Sequence, residues 1–237
     1  MSTPSVNLSP PILFGVSELH ANPDLVAKIM NLGNEATDRN KIAEPEKWEA
    51  STTKRFESRE YFFEQLGEDV LWAVIFDRAS GENASNGTGN GAGSKERGLW
   101  NNRDRVVAIA AATPWHQPLG TWEMIEHGEV EEGWEFKAVC VDSDPKYIKT
   151  GLATNCMQAL ERALVEKEVK KLEATGVPGK EKVKVRLWII AVECMNGVYW
   201  RKKGWKEIRR AVQGNGMWGC RTSFELVVLT KDSEVLE

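Results

Sequence analysis

Residues 138–153 read AVCVDSDPKYIKTGLA. An apolar run of alternating character ends at Val141, a turn built on Asp144 and Pro145 follows, and Gly151-Leu152-Ala153 opens a segment of helical period. Leu152, Cys156, Leu160 and Leu164 fall four apart, and Met157 and Ala163 widen the stripe. Lys167, Lys170 and Lys171 near its far end suit the negative pole of a helix dipole. The stretch therefore predicts a strand, a turn and a helix. A helix N-terminus presents unpaired N–H groups and a positive dipole end, a setting suited to phosphate. Small residues at 151 and 153 would let a pyrophosphate come close to that backbone. A bare strand-to-helix connection is the simpler account of the same residues. The chain has no G-x-G-x-x-G and no G-x-x-x-x-G-K-[ST], which removes support for the common dinucleotide and nucleoside triphosphate sites.

Working outward, residues 134–141 (WEFKAVCV) form the strand that feeds this turn. Upstream, 69–76 (DVLWAVIF) and 105–112 (RVVAIAAA) are rich in apolar and β-branched residues and read as a strand pair. Between them, 79–98 carries six glycines and little to bury, so it cannot offset its ordering entropy and reads as a flexible loop at the tip of a hairpin. Before the pair come a short strand over 10–16, an amphipathic helix over 24–37, and a helix over 58–66 capped by Ser58. After the long helix come a strand over 183–192, a short helix over about 196–203 stopped by Gly204, and strands near 205–212 and 223–230. The order predicts a single α/β (α+β) domain over 1–237, with a mixed, largely antiparallel sheet of about seven strands flanked by helices.

The chain has 237 residues, 41% hydrophobic and 28% charged, with a formal net charge of -4, which excludes the strongly basic footprint of a nucleic-acid binder. Its four cysteines are far apart and it has three histidines, so neither a disulfide framework nor a zinc site is favoured. The first residues lack the basic region of a secretory signal and no apolar run reaches the length of a membrane span, so the expected location is cytoplasmic, with neither membrane nor nucleic acid as partner. Ten tryptophans are more than composition explains.

The arrangement resembles the GCN5-related N-acetyltransferase (GNAT) superfamily in element order over 69–230. Two motifs carry the resemblance. Val139-Cys-Val141, Pro145 and Ile148-Lys-Thr-Gly151-Leu-Ala153 are similar to the family's V-x-V strand, proline and [QR]-x-x-G-x-[GA] loop, with Ile148 standing where Arg or Gln is usual. Residues 193–205, ECMNGVYWRKKGW, are similar to the strand end, short helix and K-x-G-F segment, with Trp205 in place of the phenylalanine. The resemblance implies a sheet splayed between its fourth and fifth strands and an acetyl-CoA-dependent N-acetyltransferase acting on the amine of a small molecule. It implies that Val139 and Val141 pair with the pantetheine, that Lys149, Thr150, Gly151, Leu152, Ala153 and Thr154 surround the pyrophosphate, and that Asn196 hydrogen-bonds a cofactor amide.

Amine attack on a thioester produces an oxyanion, for which a backbone N–H near Val141 is the expected donor. The amine must also lose a proton. Histone-acetylating relatives carry a glutamate where this chain has Lys137, so Glu135, on the same strand face, and Glu193, at the next strand end, become the candidate bases. Relatives place a tyrosine at the position of Trp200; Tyr199 is adjacent and is the candidate acid for the leaving thiolate. A solvated strand-end carboxylate is the plain alternative for each glutamate. Residues 113–133 carry Glu123, Glu126, Glu129, Glu131 and Glu132 beside Trp115, Trp122, His116 and His127, a composition suited to a cationic amine. Because Ile148, Lys137 and Trp200 all depart from the family's custom, a catalytically weak acyl-CoA-binding or protein-interaction module on the same scaffold is the alternative reading.

Overall fold

The structure, a computed structural model, describes residues 6–49, 54–78, 100–116, 123–124, 131–174 and 183–234. Eight strands form one sheet: β1 (Ile12–Gly15), β2 (Leu71–Asp77), β3 (Arg105–Pro114), β4 (Glu123–Met124), β5 (Trp134–Val141), β6 (Lys184–Val192), β7 (Lys206–Gln213) and β8 (Phe224–Glu234), in the order β1-β2-β3-β5-β6-β8-β7-β4. Seven are the strands the sequence predicts, and the two-residue β4 on the edge of β7 is an addition. Every pairing is antiparallel except β5 with β6. The predicted mixed, largely antiparallel sheet is the one observed. The hairpin tip at 79–98 lies outside the described residues.

Each face of the sheet is covered by its own helices. On one side lies α4 (Leu152–Ala174), whose stripe of Leu152, Cys156, Leu160 and Leu164 packs on Ala73, Ile75, Ala108 and Ala110 of the central strands. The alanines are what let a 23-residue helix lie this close to the sheet. On the other side lie α1 (Val16–Ala21), α2 (Pro23–Ile42) and α3 (Arg59–Leu66), which bury Leu19, Leu25, Ile29 and Phe62 against Trp72, Val74 and Phe76. The Ser58 hydroxyl accepts from the Tyr61 N–H, so the expected cap is present. Helix α1 is absent from the sequence expectation because its six residues are too short to display a period. Helix α2 overruns its predicted end at 37 by five residues, continuing to Ile42.

Past α2 the chain crosses the sheet face and fastens to the turn between β7 and β8. Trp48 forms a bridge with Cys220, the Glu49 N–H donates to the Gly219 carbonyl and the Arg221 N–H to that of Lys47. Trp48, 1% exposed, packs there with Cys220, Phe224 and Leu226. No helix among the described residues is long and apolar enough to cross a membrane, and no cluster among them has the three ligands a metal ion requires.

Candidate active site

The site begins where β5 and β6 stop being neighbours. The two are paired in parallel only at Trp134 with Leu187 and Glu135 with Trp188. Gly133, just before β5, has φ +123° and so little room that a Cβ would stand 2.0 Å from the Arg186 carbonyl oxygen. That close approach joins the strands at one end. Beyond Glu135 they part, and β6 turns wholly to β8, pairing over nine positions from Lys184 to Val192.

A bulge in β5 shapes the parting. Ile109 faces Cys140 and Ala111 faces Lys137, so Ala138 and Val139 together oppose the single residue Ala110; Ala138 takes φ +49°. The bulge resets which side chains share a face. Trp134 and Phe136 point toward α4 before it, Val139 and Val141 after it, while Ala138 and Cys140 point to the α2 side. The Asp142 N–H donates to Val107 on β3. By strand alternation the Val141 N–H and C=O therefore point away from β3, into the gap. The Val141 carbonyl accepts from Arg39 Nη2 of α2 at 3.1 Å.

From Val141 the chain enters the turn before α4. Asp142 is buried, pairs with Arg105 at 2.7 Å and accepts from the Asp144 N–H. Tyr147 is 1% exposed and its hydroxyl donates to Asp77 at the end of β2. Burial, then the Asp77 carboxylate, pushes the Tyr147 phenol up. Thr150 Oγ1 donates to the Tyr147 carbonyl. Lys149 and Gly151 both take left-handed backbone, φ +61° and +86°, and a Cβ at Gly151 would meet nothing within 4 Å. The loop is thus pinned from beneath by Tyr147 and open above Gly151, at the positive end of a long helix. Thr150 and Lys149 are exposed around that opening, Leu152 is buried in the core, and Ala153 and Thr154 are half-buried in the first turn. Ile148 is 44% exposed.

The opposite wall leaves β6 through a π-helical turn, Glu193–Gly197, followed by α5 (Val198–Lys202). Wide turns of this kind recur at functional sites. Asn196 Oδ1 and Trp200 Nε1 are buried and without a hydrogen-bond partner among the described residues. A buried polar atom without a partner is costly, so both atoms suit a ligand that supplies one. Trp200 turns inward and meets Trp205 edge-on at 5.9 Å; Tyr199 is 44% exposed, touching Trp200 and the Lys203 ammonium. The short helix therefore gives the inward position to a tryptophan. Glu193 is held by Arg201 through both carboxylate oxygens, and that guanidinium keeps its carboxyl below the ordinary range. Arg201 in turn binds Glu207, which binds Arg210. A carboxylate so engaged is a poor proton acceptor, and its place in this network is structural.

Glu135 is the other kind of carboxylate. It is 6% exposed on the α2 side of β5, opposite the buried Thr113, whose hydroxyl has no partner among the described residues. Lys137 Nζ lies 3.0 Å from Glu135 Oε2. Burial raises the Glu135 carboxyl above its ordinary 4.5, against the opposing pull of Lys137, Arg55 and His116. A buried carboxyl raised in this way is a candidate proton-transfer group. Near it Trp115 stacks on Trp188 at 4.6 Å, and Trp188 Nε1 donates to the Glu132 carbonyl.

Of the expected site residues, Val139 and Val141 lie on β5 beyond the parting, Gly151 and its neighbours at the start of α4, and Asn196 on the turn that follows β6, whereas Glu135 belongs to the paired end of β5. In the segment 113–133, Glu131 is tied to the buried Arg209 and to Trp115 Nε1, so it serves the packing. Trp122, Glu126, His127 and Glu129 lie outside the described residues, as does the Glu123 side chain. The sequence reading missed Arg39, which reaches the Val141 carbonyl from α2. No pattern within the motifs pointed to it.

No family model matches the chain, and no curated protein matches it either. Among solved structures, the chain is similar to several at low identity. The ribosomal-protein-S18-alanine N-acetyltransferase from Escherichia coli is 13% identical, with TM-score 0.41 and 96% of each chain covered. Arabidopsis thaliana NAA60, solved in complex with a bisubstrate analogue, is 12% identical, with TM-score 0.40, over 97% of this chain and 99% of the other. An acetyltransferase of the GNAT family from Streptococcus pneumoniae is 10% identical, with TM-score 0.41, over 94% of this chain and 98% of its own.

Proposed function

We propose that the chain is a GNAT-type, acetyl-CoA-dependent N-acetyltransferase acting on the amine of a small molecule. The observation that carries the reading is the parting of β5 from β6 after two paired residues. It leaves the Val141 backbone facing a gap whose ends are an open glycine turn at a helix N-terminus and a buried Asn196 oxygen without a partner. An extended pantetheine fits an unpaired strand edge as an added strand would. The N–H groups from Lys149 to Thr154 would hold the pyrophosphate, with Gly151 allowing the approach and Lys149 adding charge. Asn196 would meet a cofactor amide.

In this reading the thioester carbonyl lies beside the Val141 N–H, which donates to the oxygen as negative charge gathers on it. Glu135, raised by burial, is the final acceptor of the proton that the acceptor's ammonium must lose before its nitrogen can attack; it stands six residues along β5 from Val141, at about 3.3 Å per residue, so a chain of waters would carry that proton, with Lys137 holding the carboxyl. The free amine then forms its bond to the thioester carbon, the C–S bond breaks, and CoA leaves as the thiolate, which solvent protonates. Tyr199 stands on the rim rather than over the gap, so little of the rate is assigned to it. Calorimetry with acetyl-CoA tests the first part. Micromolar binding is the expected result, and no binding at high micromolar cofactor ends the reading. Thiol release with a panel of amines then separates an enzyme from a binding module.

A further inference from the structure

The turn before α4 holds Lys149 and Gly151 in left-handed backbone, φ +61° and +86°. Glycine adopts that conformation freely, but a lysine is strained in it by about 1 kcal/mol and stays there only where its surroundings hold it. What holds this turn begins at the far end of β2, two places from β5 in the sheet order. Asp77 is the last residue of β2 and is half-buried. Its Oδ1 accepts from the Asn7 N–H at 3.1 Å, and its Oδ2 accepts from the Tyr147 hydroxyl at 2.5 Å and from the Lys146 ammonium at 3.4 Å. The carboxylate is therefore fixed through both oxygens. The Tyr147 ring is sealed in the core with Leu152 and Cys156 of α4, and Lys146 Nζ stands 4.7 Å from its centroid. Its backbone is tied as well: the Tyr147 N–H donates to the Asp144 carbonyl at 2.9 Å, and the Tyr147 carbonyl accepts from Thr150 Oγ1 at 2.5 Å. Lys149 lies inside the ring that this last bond closes, and Gly151 follows it directly. The Gly151 carbonyl then accepts from the Asn155 N–H on entering α4. A continuous path of covalent and hydrogen bonds thus runs from the end of β2 to the turn.

We infer that Asp77 is a positioning residue for the pyrophosphate: acting through Tyr147 and Thr150, it holds the 149–151 turn in the conformation that receives the anion, and has no contact with the ligand itself. N–H groups that converge on an anion bind it more tightly when they are held in place before it arrives. Without the phenol–carboxylate bond the Tyr147 ring would stay in the core, but its distance from β2 would no longer be fixed. The strained Lys149 would then be free to relax, and its N–H would turn with it.

The inference rests on the acetyltransferase reading, and the two fail separately. The protein is titrated with CoA and, in the millimolar range, with pantetheine, which lacks the pyrophosphate. Tyr147→Phe keeps the ring and removes only the hydroxyl, so CoA affinity is expected to fall about five-fold, with pantetheine affinity unchanged. Asp77→Ala should weaken CoA to a similar extent and the double variant no further, because the carboxylate acts through the phenol. Thermal melts establish that each variant is folded, and should Asp77→Ala be unfolded, Asp77→Asn takes its place in the cycle. Unchanged CoA affinity in Tyr147→Phe, an equal loss for pantetheine, or losses that add in the double variant would each overturn the inference alone. Failure of the wild-type protein to bind CoA would overturn the acetyltransferase reading, and the inference with it.

Discussion

The two ends of the β5–β6 interface behave as opposites. At the closed end, Gly133 and Trp134 press against Arg186 and Leu187, with no space for a methyl group. At the open end, Val141 has lost its neighbour and Gly151 faces clear space. One glycine is demanded by contact and the other by backbone conformation beside an opening. The closed end should therefore govern stability, and the open end ligand binding.

The sharpest way to break that contrast is Gly133→Ala. Its Cβ would overlap the Arg186 carbonyl, and a loss of about 3 kcal/mol or more in denaturant unfolding is expected. A well-folded variant would refute the tight junction. Next comes Glu135→Gln, which should lower turnover on the order of 100-fold. Because the folded carboxyl sits above 4.5, the protonated form is favoured in the native state; this group's contribution to stability is present below 4.5 and fades as pH rises through the raised value. At neutral pH the amide should therefore leave the melting temperature unchanged or raise it, although it frees Lys137. For the same reason, wild-type activity should fall as pH drops through that raised value, and the Gln variant should lack this limb.

Gly151→Ala is a smaller perturbation. Left-handed backbone costs alanine about 1 kcal/mol, and with the Cβ in open space the expected result is a modest loss of stability beside a roughly ten-fold loss of acetyl-CoA affinity. Equal affinity would move the pyrophosphate elsewhere. Tyr199→Phe should change turnover by less than about two-fold, since the ring is on the rim. A flattened alkaline limb of its rate profile would restore the phenol as the acid.

The strand-turn-helix of 138–153 was legible because its signals are local: alternation, a proline turn, then residues four apart. The strand 134–141 has the boundaries the sequence predicts. The bulge at Ala138 was not legible, since an alanine in left-handed conformation leaves no mark in composition. It decides which residues share a side. Glu193 illustrates another limit, because its strand-end position reads like that of Glu135 until Arg201, eight residues on, is seen to bind it. The tryptophans resolved unevenly. Trp72, Trp188 and Trp134 lie in predicted strands and serve the core, whereas Trp48 and Trp100, outside every predicted element, pack against Phe224 and Phe76. Trp218 alone of the described ones is largely exposed, at 53%.

The sheet order carries a consequence for synthesis on the ribosome. Strand β6, one wall of the gap, finds its full-length partner in β8 rather than in the earlier β5. The clasp from Trp48 to Cys220 likewise joins an early segment to a late one. Until β8 has left the exit tunnel, β6 has an open edge and Trp48 has no Phe224 to cover it. A nascent chain would thus already carry the complete glycine turn and α4 while lacking a rigid second wall, so ligand-dependent protection from protease should arise only with the final strand.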